Sequence, residues 1–197
     1  MKSTIFFDVN GTLTRTISKN AFKENPRDTE VLPGIKEAIA HYKKLDWQFI
    51  GISNQPAIAT NFKTLENTII EMQFTLELIP ELSAIYFSPD FEGLICWRVT
   101  KNSSEKIADH TGEDFLKKEF RYTKPGCGMI YQGIFDSNAD KSESWMIGSH
   151  LQDENCVKNA GINFMWADIF RQRFLPGMYE VQNATKEQVA FLENIKL

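Results

Sequence analysis

The chain opens with a compact apolar run, Thr4 to Phe7, that stops at a polar turn, Asp8-Val9-Asn10-Gly11-Thr12. This feature most constrains the fold. A strand without a polar face has no side to give to water, so it belongs in the middle of a parallel sheet, covered on both faces. The pattern recurs along the chain. Trp47–Ile52 ends in Ser53-Asn54-Gln55, a third strand is expected near Ala84–Phe87, and Trp145–Ile147 is closed by Gly148-Ser149-His150. A short strand is expected at Asn163–Trp166.

Helical spacing separates these strands. Ile35, Ile39 and Tyr42 share one face of a helix over Pro33–Leu45, with the proline suited to its first turn. Further helices are expected over Phe62–Leu78, after the Lys124-Pro125-Gly126 turn, over Asp153–Ala160, and over Lys186–Ile195. Strands alternating with helices predict right-handed βαβ units and an α/β fold with a doubly wound parallel sheet. With 197 residues and no linker-like boundary or repeat, one domain spanning 1–197 is expected. Residues 88–123 are the least regular. Leu94–Val99 reads as a strand and Phe115–Phe120 as a helical turn, and the region, with its Trp97-Arg98 pair, is expected to be a loop facing the substrate.

Composition narrows the function classes. A net charge of −4 argues against a broad nucleic-acid footprint, which needs clustered Lys and Arg. Cys96, Cys127 and Cys156 are odd in number and lack CxxC spacing, so they read as buried free thiols rather than a disulfide scaffold or closed zinc site. The N-terminus lacks signal-peptide character, and no apolar stretch approaches the ~20 residues that span a bilayer. A cytoplasmic protein without a membrane partner is expected.

In a parallel sheet the polar strand ends converge on one edge, where ligands bind. Asp8, Ser53, Lys124 and Asp153 would then share a pocket. A carboxylate that attacks or positions, a cation and hydroxyl for phosphate oxygens, and a second carboxylate for a divalent metal are what phosphoryl transfer requires. Each residue also has a plainer reading. Asp8 can cap a turn, Ser53-Asn54-Gln55 and Ser149 can cap helices, Lys124 can be a solvated surface lysine, and His150 a surface residue.

Taken in order, Asp8-x-x-Gly11-Thr12, Ser53-Asn54-Gln55, Lys124-Pro125-Gly126 and the stretch from Gly148 to Ile162 resemble the haloacid dehalogenase superfamily of aspartate-nucleophile phosphatases. The likeness is to its small, minimally capped branch, which includes histidinol-phosphate, heptose bisphosphate and polynucleotide 3'-phosphatases. It implies a Rossmann-like fold without a large cap domain and a Mg²⁺-dependent phosphatase. Asp8 would be the nucleophile and a metal ligand, and the Asn10 main-chain carbonyl a second ligand. Gly11, Thr12, Ser53, Asn54 and Lys124 would line the phosphate site, with Lys124 also catalytic, and Ser149 and Asp153 would complete the metal shell. A small phosphorylated substrate is implied; a nucleic-acid 3'-phosphate end is disfavoured by the net charge.

Two positions depart from the family pattern. The acid–base aspartate two residues after the nucleophile is Asn10, and an amide neither donates nor accepts the proton, help worth about 10²–10⁴-fold. The metal loop has Ser149 where an aspartate is usual, so a neutral hydroxyl replaces a carboxylate beside a hard cation. The sequence leaves two readings: a phosphatase slowed at position 10, or an impaired protein that binds a phosphorylated ligand or partner without turnover.

Overall fold

A computed structural model of the chain describes residues 1–20, 23, 25–111, 117–175 and 185–193. The first strand, β1 (Thr4–Asp8), is buried along its whole length, as its apolar run requires. A small hairpin follows, β2 (Thr14–Arg15) paired antiparallel with β3 (Glu30–Val31). Then come α1 (Ile35–Lys44), β4 (Gln48–Asn54), α2 (Leu65–Leu78), β5 (Leu82–Ser88), β6 (Ile95–Val99), β7 (Ser104–Asp109) and α3 (Gly128–Ser137). The chain continues through β8 (Trp145–Gly148), α4 (Leu151–Ala160), β9 (Asn163–Trp166), α5 (Ala167–Gln172) and α6 (Lys186–Glu193).

Seven strands form one sheet in the order β7-β6-β5-β4-β1-β8-β9. β5, β4, β1, β8 and β9 are mutually parallel, and β6 alone runs against them, pairing antiparallel with both β5 and β7. From β1 the chain first winds outward through β4 and β5, then returns to add β8 and β9 on the other side. The strand order therefore reverses at β1, the position where open α/β sheets leave a crevice beyond their carboxyl ends.

Alternation along the strands divides the core in two. Ile5 and Phe7 face a cluster with Ile35, Ile39 and Tyr42 of α1, Met72 and Leu76 of α2, Phe170 of α5 and Phe191 of α6. Phe6 faces the opposite cluster with Ile50, Ile52, Tyr86, Met129 and Ile130 of α3, and Cys156 and Val157 of α4. The layers are thus helix, sheet, helix. All three cysteines are free and buried. No helix among the described residues is long and apolar enough to cross a membrane.

The expected helices begin a little later or earlier than their patterns suggest. Thr64 rather than Phe62 starts α2, because its hydroxyl accepts the Asn67 N–H as an N-cap. Part of the expected 115–120 turn and residues 194–195 of the last helix lie outside the described residues; Lys118–Phe120 is a 3₁₀ turn. The larger difference concerns 88–123. Instead of an irregular loop, much of it is the β6–β7 hairpin, whose turn at Thr100–Ser103 lies at the edge of the sheet opposite the Asp8 strand ends. The loop after β5 is ordered by Asp90, which accepts bonds from the Ser88 hydroxyl and the Leu94 and Ile95 N–H groups.

Candidate active site

Asp8, Lys124 and Asp153 meet at the end of β1. The Lys124 Nζ lies 2.6 Å from Asp8 Oδ1 and 2.6 Å from Asp153 Oδ1, and all three side chains are buried. Parity explains the meeting. Asp8 projects to the same face as Phe6, and Lys124 and Asp153 come from the start of the α3 segment and from α4, which cover that face. The Thr12 hydroxyl, fully buried, reaches Asp8 Oδ2 at 3.4 Å.

Local sequence builds each member. Gly11 adopts φ +84 in the turn after β1, a conformation favouring glycine, and a Cβ there would stand 3.2 Å from Ser149 Oγ. Val9 O accepts the N–H groups of Leu13 and Thr14, closing the loop around Asn10. Asp153 sits in the first turn of α4 and its Oδ2 accepts the Ser149 and His150 N–H groups at 3.0 and 2.9 Å. It thus satisfies donors at the positive end of a helix while its other oxygen holds Lys124. Gly148 makes room for this carboxyl: a Cβ would lie 2.4 Å from the Asp153 Cβ.

The ordinary pKa values shift as this crowding dictates. Burial would lower the Lys124 amine, but the attraction of Asp8 and Asp153 outweighs it and holds the group well above its usual range. Burial pushes the Asp8 carboxyl up; Lys124 pulls it down, Asp153 adds to the rise, and the net direction is upward. Two carboxylates share one ammonium, so the cluster is short of positive charge.

The oxygen donors present suit a hard divalent cation. Beside the two carboxylates, Asn10 Oδ1 and Ser149 Oγ are buried without a hydrogen-bond partner. Buried polar atoms are ordinarily satisfied, so these two have capacity for a ligand. Among the described residues no group of three or more His, Cys, Asp and Glu gathers at a site. Ser149 is the reason here: a third carboxylate would stand where its hydroxyl is.

The remaining sequence candidates divide. Asn54 clamps Lys124: its Oδ1 accepts the Lys124 N–H at 2.9 Å and its Nδ2 donates to the Lys124 carbonyl at 3.0 Å. Ser53 is buried one residue beyond the Asp8–Ile52 pair, on the strand next to β1. His150 is exposed, and its main-chain N–H serves Asp153. Trp97 and Arg98 do not face the crevice. Trp97 stacks on Phe87 at 6.3 Å within the core, while Arg98 pairs with Glu105 and Asp136. As neighbours on the strand expected over Leu94–Val99 they point to opposite faces, so they cannot both face one pocket.

A cavity of about 630 Å³ opens beside the cluster, between residues 14–16, 20, 23 and 25–26 on one side and the start of α2 on the other. Asn10 and Gly11 form one wall, with Asn54, Gln55, Lys63 and Glu71 on another. Gln55, Lys63 and Glu71 escaped the sequence reading. The run Ser53-Asn54-Gln55 marks a strand end, but nothing in it shows that Lys63 and Glu71 turn back toward it.

No family model matches the chain. It is 24% identical over 182 residues to the D-glycero-D-manno-heptose-1,7-bisphosphate 7-phosphatase of Thermosynechococcus vestitus, covering 89% of this chain and 84% of the relative. It is 27% identical over 173 residues to the histidine biosynthesis bifunctional protein HisB of Legionella pneumophila, covering 84% of this chain and 41% of that longer protein. A solved structure with a TM-score of 0.62 and 19% identity, covering 98% of this chain and 97% of its own, is the D,D-heptose 1,7-bisphosphate phosphatase from B. bronchiseptica, complexed with magnesium and phosphate. The fold, and relatives that align over most of its length, make the chain similar to small phosphatases of the haloacid dehalogenase superfamily.

Proposed function

We propose that the chain is a Mg²⁺-dependent phosphomonoester hydrolase that works through an aspartyl-phosphate on Asp8. The observation that carries this reading is the buried Asp8–Lys124–Asp153 cluster at the point where the strand order reverses. A carboxylate oxygen of Asp8 attacks phosphorus as the bond to the leaving oxygen breaks. Lys124 holds Asp8 in place and offsets the charge between nucleophile and phosphate. The Thr12 hydroxyl steadies the second carboxylate oxygen. Water then attacks phosphorus, the bond to Asp8 breaks, and inorganic phosphate leaves.

Asp8, the Asn10 main-chain carbonyl, Ser149 and Asp153 would hold Mg²⁺. When bound, the ion supplies the positive charge that the cluster lacks and neutralises the phosphate. The Asn10 amide takes no part in proton transfer, so the leaving oxygen takes its proton from water and the hydrolytic water gives its own to solvent. Turnover is accordingly slow for poor leaving groups.

The cavity favours a small polar substrate. Asn10, Asn20, Asn25, Asn54, Asn61 and Asn67 contribute amides to its lining, and amides both donate to and accept from hydroxyls. Its two lysines, Lys23 and Lys63, share Glu71 and do not form the basic track that a nucleic-acid strand needs. One relative is a heptose-1,7-bisphosphate 7-phosphatase and the other a histidine biosynthesis bifunctional protein, in keeping with a small phosphorylated metabolite.

The test is hydrolysis of an aryl phosphate with Mg²⁺ by the unmodified chain, Asp8→Asn, and Asn10→Asp/Ser149→Asp. Turnover lost in Asp8→Asn supports the reading. Mg²⁺ binding without turnover in the unmodified chain and in the double variant would sink it. The amide at position 10 supports a second reading, a protein that captures a phosphorylated ligand or partner without turnover; retained phosphate affinity with no hydrolysis identifies it.

A further inference from the structure

On the face of β4 opposite Asn54, a buried chain of side chains runs from the strand end into α2. Gln55 Nε2 donates to Ser53 Oγ at 2.9 Å, and Lys63 Nζ donates to Gln55 Oε1 at 3.3 Å. Lys63 also donates to Glu71 Oε2, and Lys23 Nζ reaches Glu71 Oε1 at 2.6 Å. Ser53, Gln55 and Glu71 are buried, Glu71 completely.

The chemistry of these groups fixes the direction of every bond. An ammonium has only donors, so Lys63 compels Gln55 to turn its oxygen toward it. The Gln55 amide nitrogen must then face Ser53, and a nitrogen of this kind only donates. Ser53 Oγ therefore accepts, and its own hydrogen is left to point elsewhere. Among the described residues no protein acceptor takes that hydrogen. Two carboxylate oxygens of Glu71 hold two lysines, so the ammonium of Lys63 is itself anchored.

We propose that Gln55, held by Lys63 and Glu71, is a positioning residue that keeps the Ser53 hydroxyl a donor aimed at a bound phosphate. The inference rests on the phosphate-site reading above and adds to it the device that sets the hydroxyl's polarity. A serine free to rotate would spend part of its time accepting, and would then present a lone pair to an anion. The Gln55 amide removes that orientation before the phosphate arrives.

The test is a double-mutant cycle between Ser53 and Gln55, read as the affinity for inorganic phosphate with Mg²⁺ by calorimetry. In Gln55→Glu the new carboxylate can still take the Lys63 hydrogen but can only accept from Ser53, so the hydroxyl turns away. Phosphate binding is expected to weaken about tenfold or more, the scale of one hydrogen bond to a charged group. Gln55→Leu, which adds no charge, is expected to weaken it in the same direction by less. In a Ser53→Ala background neither change at 55 is expected to weaken binding further. Urea unfolding of each variant reports whether it is folded, and Lys63→Met provides a second route to the same loss.

Losses at 55 that persist undiminished in Ser53→Ala would overturn the inference, since charge or packing would then explain them. Unchanged affinity in both Gln55 variants would overturn it as well, and so would an unmodified chain that does not bind phosphate. Aryl-phosphate hydrolysis measured in parallel separates the two readings. A cycle that couples without any turnover leaves the inference standing and removes the phosphatase; brisk turnover with an additive cycle does the reverse.

Discussion

Replacing Asn10 by aspartate restores a proton carrier at one side-chain position while leaving the main-chain carbonyl as it is. The effect on rate should depend on the leaving group. For an alkyl phosphate the departing oxygen needs a proton, and general acid–base help of about 10²–10⁴-fold corresponds to roughly 3–5 kcal/mol of barrier. A nitrophenolate leaves unprotonated, so the first step should hardly change for such an ester. A series of esters with rising leaving-group basicity, assayed under saturating Mg²⁺, should thus show a steep decline of kcat/KM in the unmodified chain. The decline should flatten in Asn10→Asp. The substitution also has a cost. The cluster already holds two carboxylates against one ammonium, and a third beside them adds repulsion of the order of a few kcal/mol at an effective dielectric near 20. Asn10→Asp should unfold at lower urea in EDTA and recover more than the unmodified chain when Mg²⁺ is added. An equal gain for all leaving groups, or no gain for alkyl esters, would refute the assignment of position 10 to proton transfer.

Lys124→Met should destabilise the fold by about 3–5 kcal/mol in EDTA, because two buried carboxylates lose their shared partner; urea melts measure it, and a loss below ~1 kcal/mol would contradict the buried geometry. Gly148→Ala should cost about 1–3 kcal/mol and displace Asp153, since its Cβ would fall 2.4 Å from the Asp153 Cβ; denaturation and Mg²⁺ titration read both effects. Tyr42→Phe should cost about 1 kcal/mol by removing the 2.8 Å bond to the Phe191 carbonyl, with activity untouched. The Cys127 thiol, pushed up to about 11 by burial, should resist disulfide reagents at pH 8 in the native state and react at once in denaturant.

The central strands were legible because each is an apolar run with no face for water, and the polar turns after them located one edge of the sheet. Asp8, Lys124 and Asp153 could be brought together on that reasoning alone. The β6–β7 hairpin was harder. Ser104–Asp109 is an edge strand with mostly exposed side chains, so it lacks both the apolar run and a clear alternation. The β2–β3 pair consists of two-residue strands joined across a long loop, which leaves no periodic signal. Trp97 and Arg98 lie on a strand that the sequence does signal, but with its partner Ser104–Asp109 unread the surrounding stretch looked like a recognition loop. The Ser53–Gln55–Lys63–Glu71 chain was invisible for a different reason: its order depends on the turn between β4 and α2, and no residue spacing specifies it.

That outermost hairpin bears on how the molecule behaves in a crowd. An exposed strand edge is an open template for a neighbour's backbone, and the usual safeguard is charge. Here the last strand carries Glu105, Lys106 and Asp109, with Lys106 and Asp109 already paired to each other 2.6 Å apart. A second chain docking strand to strand would have to strip water from these groups along the whole contact. On this side the sheet therefore ends in a border that discourages growth by strand addition, and protects concentrated protein from edge-to-edge aggregation.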